Sequence, residues 1–168
     1  NLTFAYDGNG QLAFVGKSIS DAADTRVTAL VMKYNGTTMG NVNPQGVIEP
    51  DENGNFTVFL PSTTSESTLQ DLASGINSKW VTYMTVAPKA TVKPSDGGAQ
   101  NAEYWAKTGL TLTYSLTNSN KYSDSKTFTV TAENGTTRNF TVTVKKITSE
   151  DRTCKIAVAS ISGGTVTA

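Results

Sequence analysis

The clearest hydrophobic pattern in the chain lies between residues 126 and 146, where apolar and polar side chains alternate along two successive segments. The apolar positions are Phe128, Val130, Ala132, Phe140, Val142 and Val144, with threonines between most of them. A period of two that is interrupted by Glu133, Asn134 and Gly135 is typical of a β-hairpin with one face directed toward a core. This stretch is therefore predicted to be a hairpin within a larger β-structure.

The length of the turn follows from which residues have to share a face. A two-residue turn would place Phe128 on the same face as Thr141, so half of the apolar residues would face water. A three-residue loop over residues 133–135 keeps Phe128 and Phe140 together. The last residue of such a loop is left-handed, a conformation that glycine adopts at little cost. The pattern thus predicts an odd-length loop with Gly135 in the left-handed region.

Short strand-like segments continue along the rest of the chain, separated by residues that favour turns. They cover residues 2–6, 11–15, 26–34, 47–49, 56–60, 80–86, 90–93, 109–116 and 155–160. Strands of this length and number predict an all-β protein that folds as an antiparallel β-sandwich.

One short helix is predicted around residues 65–74. Ser65 or Thr64 can cap its first turn, since a hydroxyl oxygen there accepts a bond from a free backbone N–H. Leu69, Leu72 and Ile76 are spaced to form its apolar side.

The length of 168 residues is enough for one domain that is held together by its core alone. We expect the sandwich to span residues 1–146, with residues 1–25 as an N-terminal hairpin and residues 147–168 as a last strand or a linker to a following module. The single cysteine, Cys154, excludes an internal disulfide. It is read as a small buried hydrophobic residue, with a reactive thiol as the alternative.

Residues 128–144, FTVTAENGTTRNFTVTV, resemble the closing hairpin of immunoglobulin-like domains in Bacteroidetes surface lipoproteins, several of which are domains of unknown function. Further similar pieces follow the same order: FTVFLP at residues 56–61, LQDLASGI at 69–76 and VAPKATVKPSDG at 86–97. The resemblance covers residues 26–146. It implies an immunoglobulin-like sandwich without catalytic residues, in a secreted or outer-membrane-anchored protein near carbohydrate uptake or adhesion systems. A lipid anchor on a removed N-terminal segment is expected with it.

Charge and hydropathy narrow the expected partners. The chain has 14 basic and 14 acidic residues, scattered without a basic stripe, so binding to nucleic acid or to anionic lipid is not expected. The longest uninterrupted apolar run, residues 29–32, is far shorter than a membrane span, so this segment is not expected to insert into a membrane. The expected partner is a glycan or another surface protein.

Catalysis by common nucleophilic or metal-dependent routes is excluded by the absence of histidine. Glu103 beside Tyr104 and Trp105 invites a comparison with glycoside hydrolases, which use two carboxylates. With 14 acidic residues in the chain, however, one such adjacency arises by chance. We therefore expect no enzyme activity and no cofactor.

Two groups of residues are candidate binding sites. Tyr104, Trp105 and Tyr122 lie in predicted loops, where exposed rings could stack against sugars. The alternative is that Trp105 closes one end of the core with Tyr104 above it.

Asp51, Asn53 and Asn55 alternate as at the start of a calcium-binding loop. The sixth position of such a loop is a glycine, whereas here it is Phe56, which belongs to a strand. A hairpin turn closed by Asx side chains is therefore preferred over a calcium site.

The expected function is that of a non-catalytic cell-surface module that binds a ligand or acts as a spacer. The alternative is a structural or adhesive subunit, such as a pilus or stalk component, that assembles through its terminal strands.

Overall fold

The structure is a computed structural model that describes residues 2–6, 12–17 and 21–148. In chain order its elements are β1 (Leu2–Tyr6), β2 (Leu12–Lys17), β3 (Val27–Tyr34), β4 (Thr37–Met39), β5 (Phe56–Leu60), α1 (Glu66–Ser74), β6 (Trp80–Val86), β7 (Thr91–Pro94), β8 (Gln100–Asn101), β9 (Ser123–Thr131) and β10 (Thr137–Lys146). β1 and β2 pair antiparallel, which confirms the predicted N-terminal hairpin strands. The predicted strand at 155–160 and Cys154 lie outside the described residues.

Two sheets enclose a common core, so the protein is mainly β and sandwich-like. One sheet has the strand order β5-β10-β9-β7-β8, and the other has the order β4-β3-β6. Their inward side chains form one buried cluster, which includes Leu30, Met32, Trp80 and Met84 from the smaller sheet and Phe56, Val58, Phe128, Val130, Phe140 and Val142 from the larger sheet. Burial of this apolar surface is the main stabilising contribution to the fold.

The β9–β10 hairpin has the predicted register and turn. Phe128 lies opposite Phe140, and their rings stack with centroids 5.1 Å apart and planes inclined by 19°. The ladder continues to the turn, where the Ala132 N–H donates to the Thr136 carbonyl at 2.8 Å and leaves a three-residue loop. Gly135 has a φ of +86°. Both the odd loop length and the left-handed glycine are therefore confirmed.

The pairing of β5 with β10 is parallel, with Phe56 beside Val142 and Leu60 beside Lys146. The prediction of an antiparallel sheet throughout is therefore wrong at this edge. A parallel pair needs a long crossover connection, and here more than half of the sandwich lies between the two strands in the sequence. The Ile147 N–H also donates to the Leu60 carbonyl at 2.9 Å, so the pairing continues past the predicted domain boundary at 146.

The predicted strand at residues 109–116 is not part of a ladder. Leu110 forms a single bridge with Thr82, after which the extended backbone is bonded elsewhere. The Tyr114 N–H donates to the Leu72 carbonyl of α1, and the Ser115 N–H donates to the Asp124 carboxylate at 2.7 Å. The predicted alternation itself is real, because Leu112, Tyr114 and Leu116 are buried.

Helix α1 begins and ends as predicted. The Ser65 hydroxyl accepts a hydrogen bond from the Thr68 N–H, and Gly75 follows the last turn in a left-handed conformation. Leu69 and Leu72 are buried, but Ile76 lies beyond Gly75 and is 47% exposed, so it was wrongly assigned to the apolar side. Among the described residues, no helix has both the length and the apolar character required to cross a membrane.

We expect Gly135→Ala to reduce the free energy of unfolding by about 1–2 kcal/mol, because an L-residue is strained in the left-handed region. A Cβ at Gly135 meets no atom within 4 Å, so the loss would be purely conformational. Gly98→Ala is the matched control, since a Cβ there is equally unobstructed and Gly98 lacks a positive φ. Equal denaturation midpoints for the two variants would contradict the assigned turn.

Candidate functional site

Trp105 lies in the core rather than on a loop surface. It belongs to a wide helical turn, Tyr104–Thr108, and is 0% exposed. Its indole N–H donates to the Val92 carbonyl at 3.0 Å, and its ring meets Phe128 edge-on with centroids 6.3 Å apart. The alternative interpretation, in which Trp105 closes one end of the core, is therefore confirmed, and its ring offers no open face to a sugar.

Tyr104 and Tyr122 remain at the surface but do not lie together. Tyr104 lies three residues after Asn101 of β8. Asn101 pairs with Thr91 of β7, and Thr91 pairs with Thr131, the last residue of β9. Tyr122 precedes the first residue of β9, is 38% exposed and donates its hydroxyl to the Ser119 carbonyl at 3.0 Å. The two tyrosines thus lie at opposite ends of a nine-residue strand, so the structure does not assemble the three predicted aromatic residues into one platform.

The oxygens of the candidate calcium loop are used within the fold. The Asp51 carboxylate accepts bonds from the N–H groups of Asn53 and Asn55, both at 2.9 Å. The Asn55 side chain accepts from the Thr141 N–H in β10 at 2.9 Å. These residues form the Asx-closed turn that was the preferred interpretation. Within the described ranges, no group of three or more histidine, cysteine or acidic residues could hold a metal ion.

Glu103, the candidate acid beside the aromatic pair, forms an ion pair with Lys107 at 2.8 Å. Both side chains are largely exposed and lie four residues apart on the same turn. This arrangement is that of a solvated surface pair, which contributes little to stability.

The predicted aromatic residues do not line either of two grooves on the described surface. A groove of about 510 Å³ is lined mainly by Asn41, Phe59, Pro61 and Ile147, next to the point where β10 ends. A smaller cleft of about 240 Å³ separates the loop that follows Pro94 from the extended backbone at 110–113.

The chain enters the sandwich at the end that contains the β9–β10 turn, here called the entry end. The Ala22 carbonyl accepts a bond from the Asn134 N–H at 2.8 Å. Val27, the first residue of β3, pairs with Val86, the last residue of β6. A tight turn connects β6 to β7, whose first residue, Thr91, pairs with Thr131 of β9. Lys89 and Glu133 form an ion pair at this end, and the hydrogen bond to Glu133 raises the pKa of Lys89.

The chain leaves β10 at the other end of the sandwich, here called the exit end. The Lys146 N–H donates to the Tyr122 carbonyl at 2.7 Å, and its ammonium group is bonded to the Asn118 amide oxygen. The Asn118 N–H in turn donates to the Glu66 carboxylate of α1 at 2.9 Å. The period of two along β10 places Lys146 on the inner face with Val142 and Val144, where it is 8% exposed.

An acidic side chain connects α1 to the smaller sheet. The Asp71 carboxylate accepts a hydrogen bond from the Lys79 ammonium at 2.8 Å and another from the Tyr34 hydroxyl at 2.7 Å. The bond from Lys79 and then that from Tyr34 lower the pKa of Asp71 below its ordinary value. The hydrogen bond between Lys79 and Asp71 also raises the pKa of Lys79 above its ordinary value.

Because the folded-state pKa of Asp71 is lowered, its bonds stabilise the protein fully at pH values above the ordinary carboxyl pKa of ~3.9. This contribution is lost as the pH falls through the folded-state pKa. We expect Asp71→Asn to lower the free energy of unfolding at pH 7, with a difference from wild type that shrinks below pH ~4. Glu52→Gln, in an exposed turn, is the control and should change the free energy of unfolding little at pH 7. Denaturant titrations at several pH values measure both, and a pH-independent loss for Asp71→Asn would contradict the assignment.

The Tyr114 hydroxyl is buried and has no hydrogen-bond partner among the described residues. Its burial, with Asp96 and Asp124 nearby, raises the pKa of Tyr114 far above its ordinary value. The Lys126 ammonium lies 5.7 Å from the centre of the ring, so the ring itself has a favourable cation contact. Tyr114 is thus a neutral core residue whose hydroxyl costs free energy.

We expect Tyr114→Phe to be neutral or to stabilise the protein by up to ~1 kcal/mol, because it removes a buried polar group that lacks a partner. Tyr34→Phe makes the same chemical change but removes the bond to Asp71, and should cost ~1–2 kcal/mol. Chemical denaturation of the two variants compares them directly. A clear loss for Tyr114→Phe would show that its hydroxyl is bonded in solution.

The sequence matches no protein-family model, and no curated protein is similar to it. One solved structure with some similarity is a protein of Bacteroides fragilis NCTC 9343 that is provisionally described as secreted. The match covers 74% of this chain and 94% of the other, at 17% identity and a TM-score of 0.31. A likeness of this degree carries no argument about the function of this chain.

Proposed function

We propose that the protein is a non-catalytic spacer module of a bacterial cell-surface protein, built on an immunoglobulin-like sandwich. The observation that carries this proposal is that the chain enters and leaves the sandwich at opposite ends. Ala22 contacts Asn134 at the entry end, whereas Ile147 is bonded to Leu60 at the exit end.

The distance between the two ends is set by the long hairpin. β10 has ten residues, which span about 30 Å at ~3.3 Å per residue. Neighbouring modules that are attached before residue 21 and after residue 148 would therefore lie on opposite sides of the sandwich. Each such module would lengthen the parent protein by about the length of a strand, which is the geometry that a spacer requires.

The immunoglobulin-like assignment is supported by the two-layer arrangement around one core and by the resemblance of residues 128–144 to the closing hairpin of such domains. The parallel β5–β10 edge is a departure from a purely antiparallel sandwich. The surface location is supported by the many threonine, serine, asparagine and glycine residues and by the same resemblance. A lipid anchor on a removed N-terminal segment belongs to the proposal, and the partners would be neighbouring modules or other surface proteins.

The separation of the two ends can be measured by pulsed electron spin resonance on the chain with Cys154→Ser and two spin labels. Thr28→Cys places a label near the start of β3, and Thr63→Cys places one beside the point where β10 ends. We expect one narrow distance distribution near 30 Å or above, because the strands run the length of the sandwich. Thr63→Cys with Asn120→Cys is the control pair, since both positions lie at the exit end.

Two results would contradict the proposal. A Thr28–Thr63 distance as short as that of the control pair would mean that the chain enters and leaves at the same end. Saturable glycan binding that is lost in Tyr104→Ala or Tyr122→Ala would instead make the protein a binding module.

A further inference from the structure

The two strands through which tension would enter the sandwich are both held on two sides. β3 follows directly from the entry end, pairs with β6 from Val27 to Tyr34 and pairs with β4 on its other side over Met32–Tyr34. β10 leads directly to the exit end and lies between β5 and β9. Neither strand is a free edge that could be removed from its sheet by breaking bonds on one side alone.

The direction of pulling matters as much as the number of neighbours. Tension between residues 21 and 148 pulls β3 outward at Val27 and β10 outward at Lys146, so each strand is loaded along its own axis. Under such shear, the ladder hydrogen bonds share the load and have to break together. A strand that is peeled sideways loses its bonds one at a time, and each bond contributes only ~1 kcal/mol.

The parallel edge strengthens this arrangement at β10. β5 pairs with β10 from Phe56 beside Val142 to Leu60 beside Lys146, and the Leu60 carbonyl also holds Ile147. β9 pairs with β10 from Thr137 to Lys145. Sliding of β10 toward the exit end therefore has to break bonds to both neighbours at once.

Side chains resist the same movement. Phe140 stacks on Phe128 of β9 and meets Phe56 of β5 edge-on at 6.0 Å, so the strand cannot slide without separating both ring contacts. At the exit end, the buried Lys146 is bonded through its ammonium group to Asn118. At the entry end, Asp24 is buried and holds the Arg26 guanidinium at 2.6 Å, directly before β3.

On the basis of the proposed spacer function, we infer that the module bears tensile load along the line from its entry end to its exit end. The load passes from β3 through the common core to β10, and both strands resist it in shear. The sandwich would then keep its length when the parent protein is pulled, instead of extending into an unfolded chain.

Single-molecule force spectroscopy of the whole chain tests this inference by comparing two pulling directions in the same fold. The first uses handles at the two termini, with Cys154→Ser. Unfolding of residues 22–148 should release roughly 400 Å of contour length at ~3.5 Å per residue, which identifies the event. The second uses a handle at Ser123→Cys and one at the C-terminus, which peels β9 from β10 starting at the exit end.

We expect the peeling direction to unfold the sandwich at a force lower by roughly a factor of two or more, because its bonds break in succession. Its contour gain should be roughly 90 Å, from residues 123–148 at ~3.5 Å per residue. Ser123 is exposed, so its replacement should leave the folded state unchanged, and equal denaturation midpoints for the two proteins would check this.

Equal unfolding forces in the two directions, or a lower force between the termini, would overturn the inference. A long Thr28–Thr63 distance combined with a low terminal unfolding force would leave the spacer proposal in place and remove only the load-bearing role. A short Thr28–Thr63 distance would remove both.

Discussion

The structure depends on one continuous set of aromatic contacts that crosses three neighbouring strands. Phe56 of β5 meets Phe140 of β10, Phe140 stacks on Phe128 of β9, and Phe128 forms a T-shaped contact with Trp105. Each ring is almost completely buried. Because side chains on a strand alternate between faces, these contacts exist only when β9 and β10 have the right register. The three-residue loop that ends in Gly135 sets that register, so a backbone requirement at one glycine determines how the core is filled.

Features that depend on local sequence could be predicted. The alternation around Phe128 and Phe140 identified the hairpin, and the parity of the two segments identified its loop. The Ser65 cap and Gly75 marked the limits of the helix, since both act on backbone groups within one turn. In each case, the stabilising contact and the sequence signal lie within a few residues of each other.

Features that depend on distant contacts could not be predicted in the same way. The parallel position of β5 beside β10 joins residues more than eighty positions apart, and nothing in the alternation of β5 specifies the direction of its neighbour. Residues 109–116 have a strand-like pattern because one side is buried, but their backbone bonds go to Leu72 and to the Asp124 side chain. Alternating burial therefore predicted the extended conformation and did not predict the partner.

The candidate sites were ambiguous for a related reason, because the same residue types close turns, fill cores and bind ligands. Trp105 fills the end of the core, and the Asp51 carboxylate accepts bonds from its own turn. The burial of Lys146 could have been predicted, because Lys146 continues the alternation of Val142 and Val144 along the strand. The contact between Ala22 and Asn134, in contrast, has no signal in the sequence.

The polar residues of the connecting turns are largely engaged with their own backbone. The Asn43 side chain accepts bonds from the N–H groups of Gln45 and Val47, and Asn134 accepts one from Thr136. Thr117 does the same for the loop that leads into β9. Side chains that are bonded in this way stiffen the turns and leave fewer groups to recognise a ligand. The chemistry of these turns thus favours a fixed shape over a recognition surface. A fixed shape, about one strand long and with its connections at opposite ends, is what the proposed spacer would need under tension.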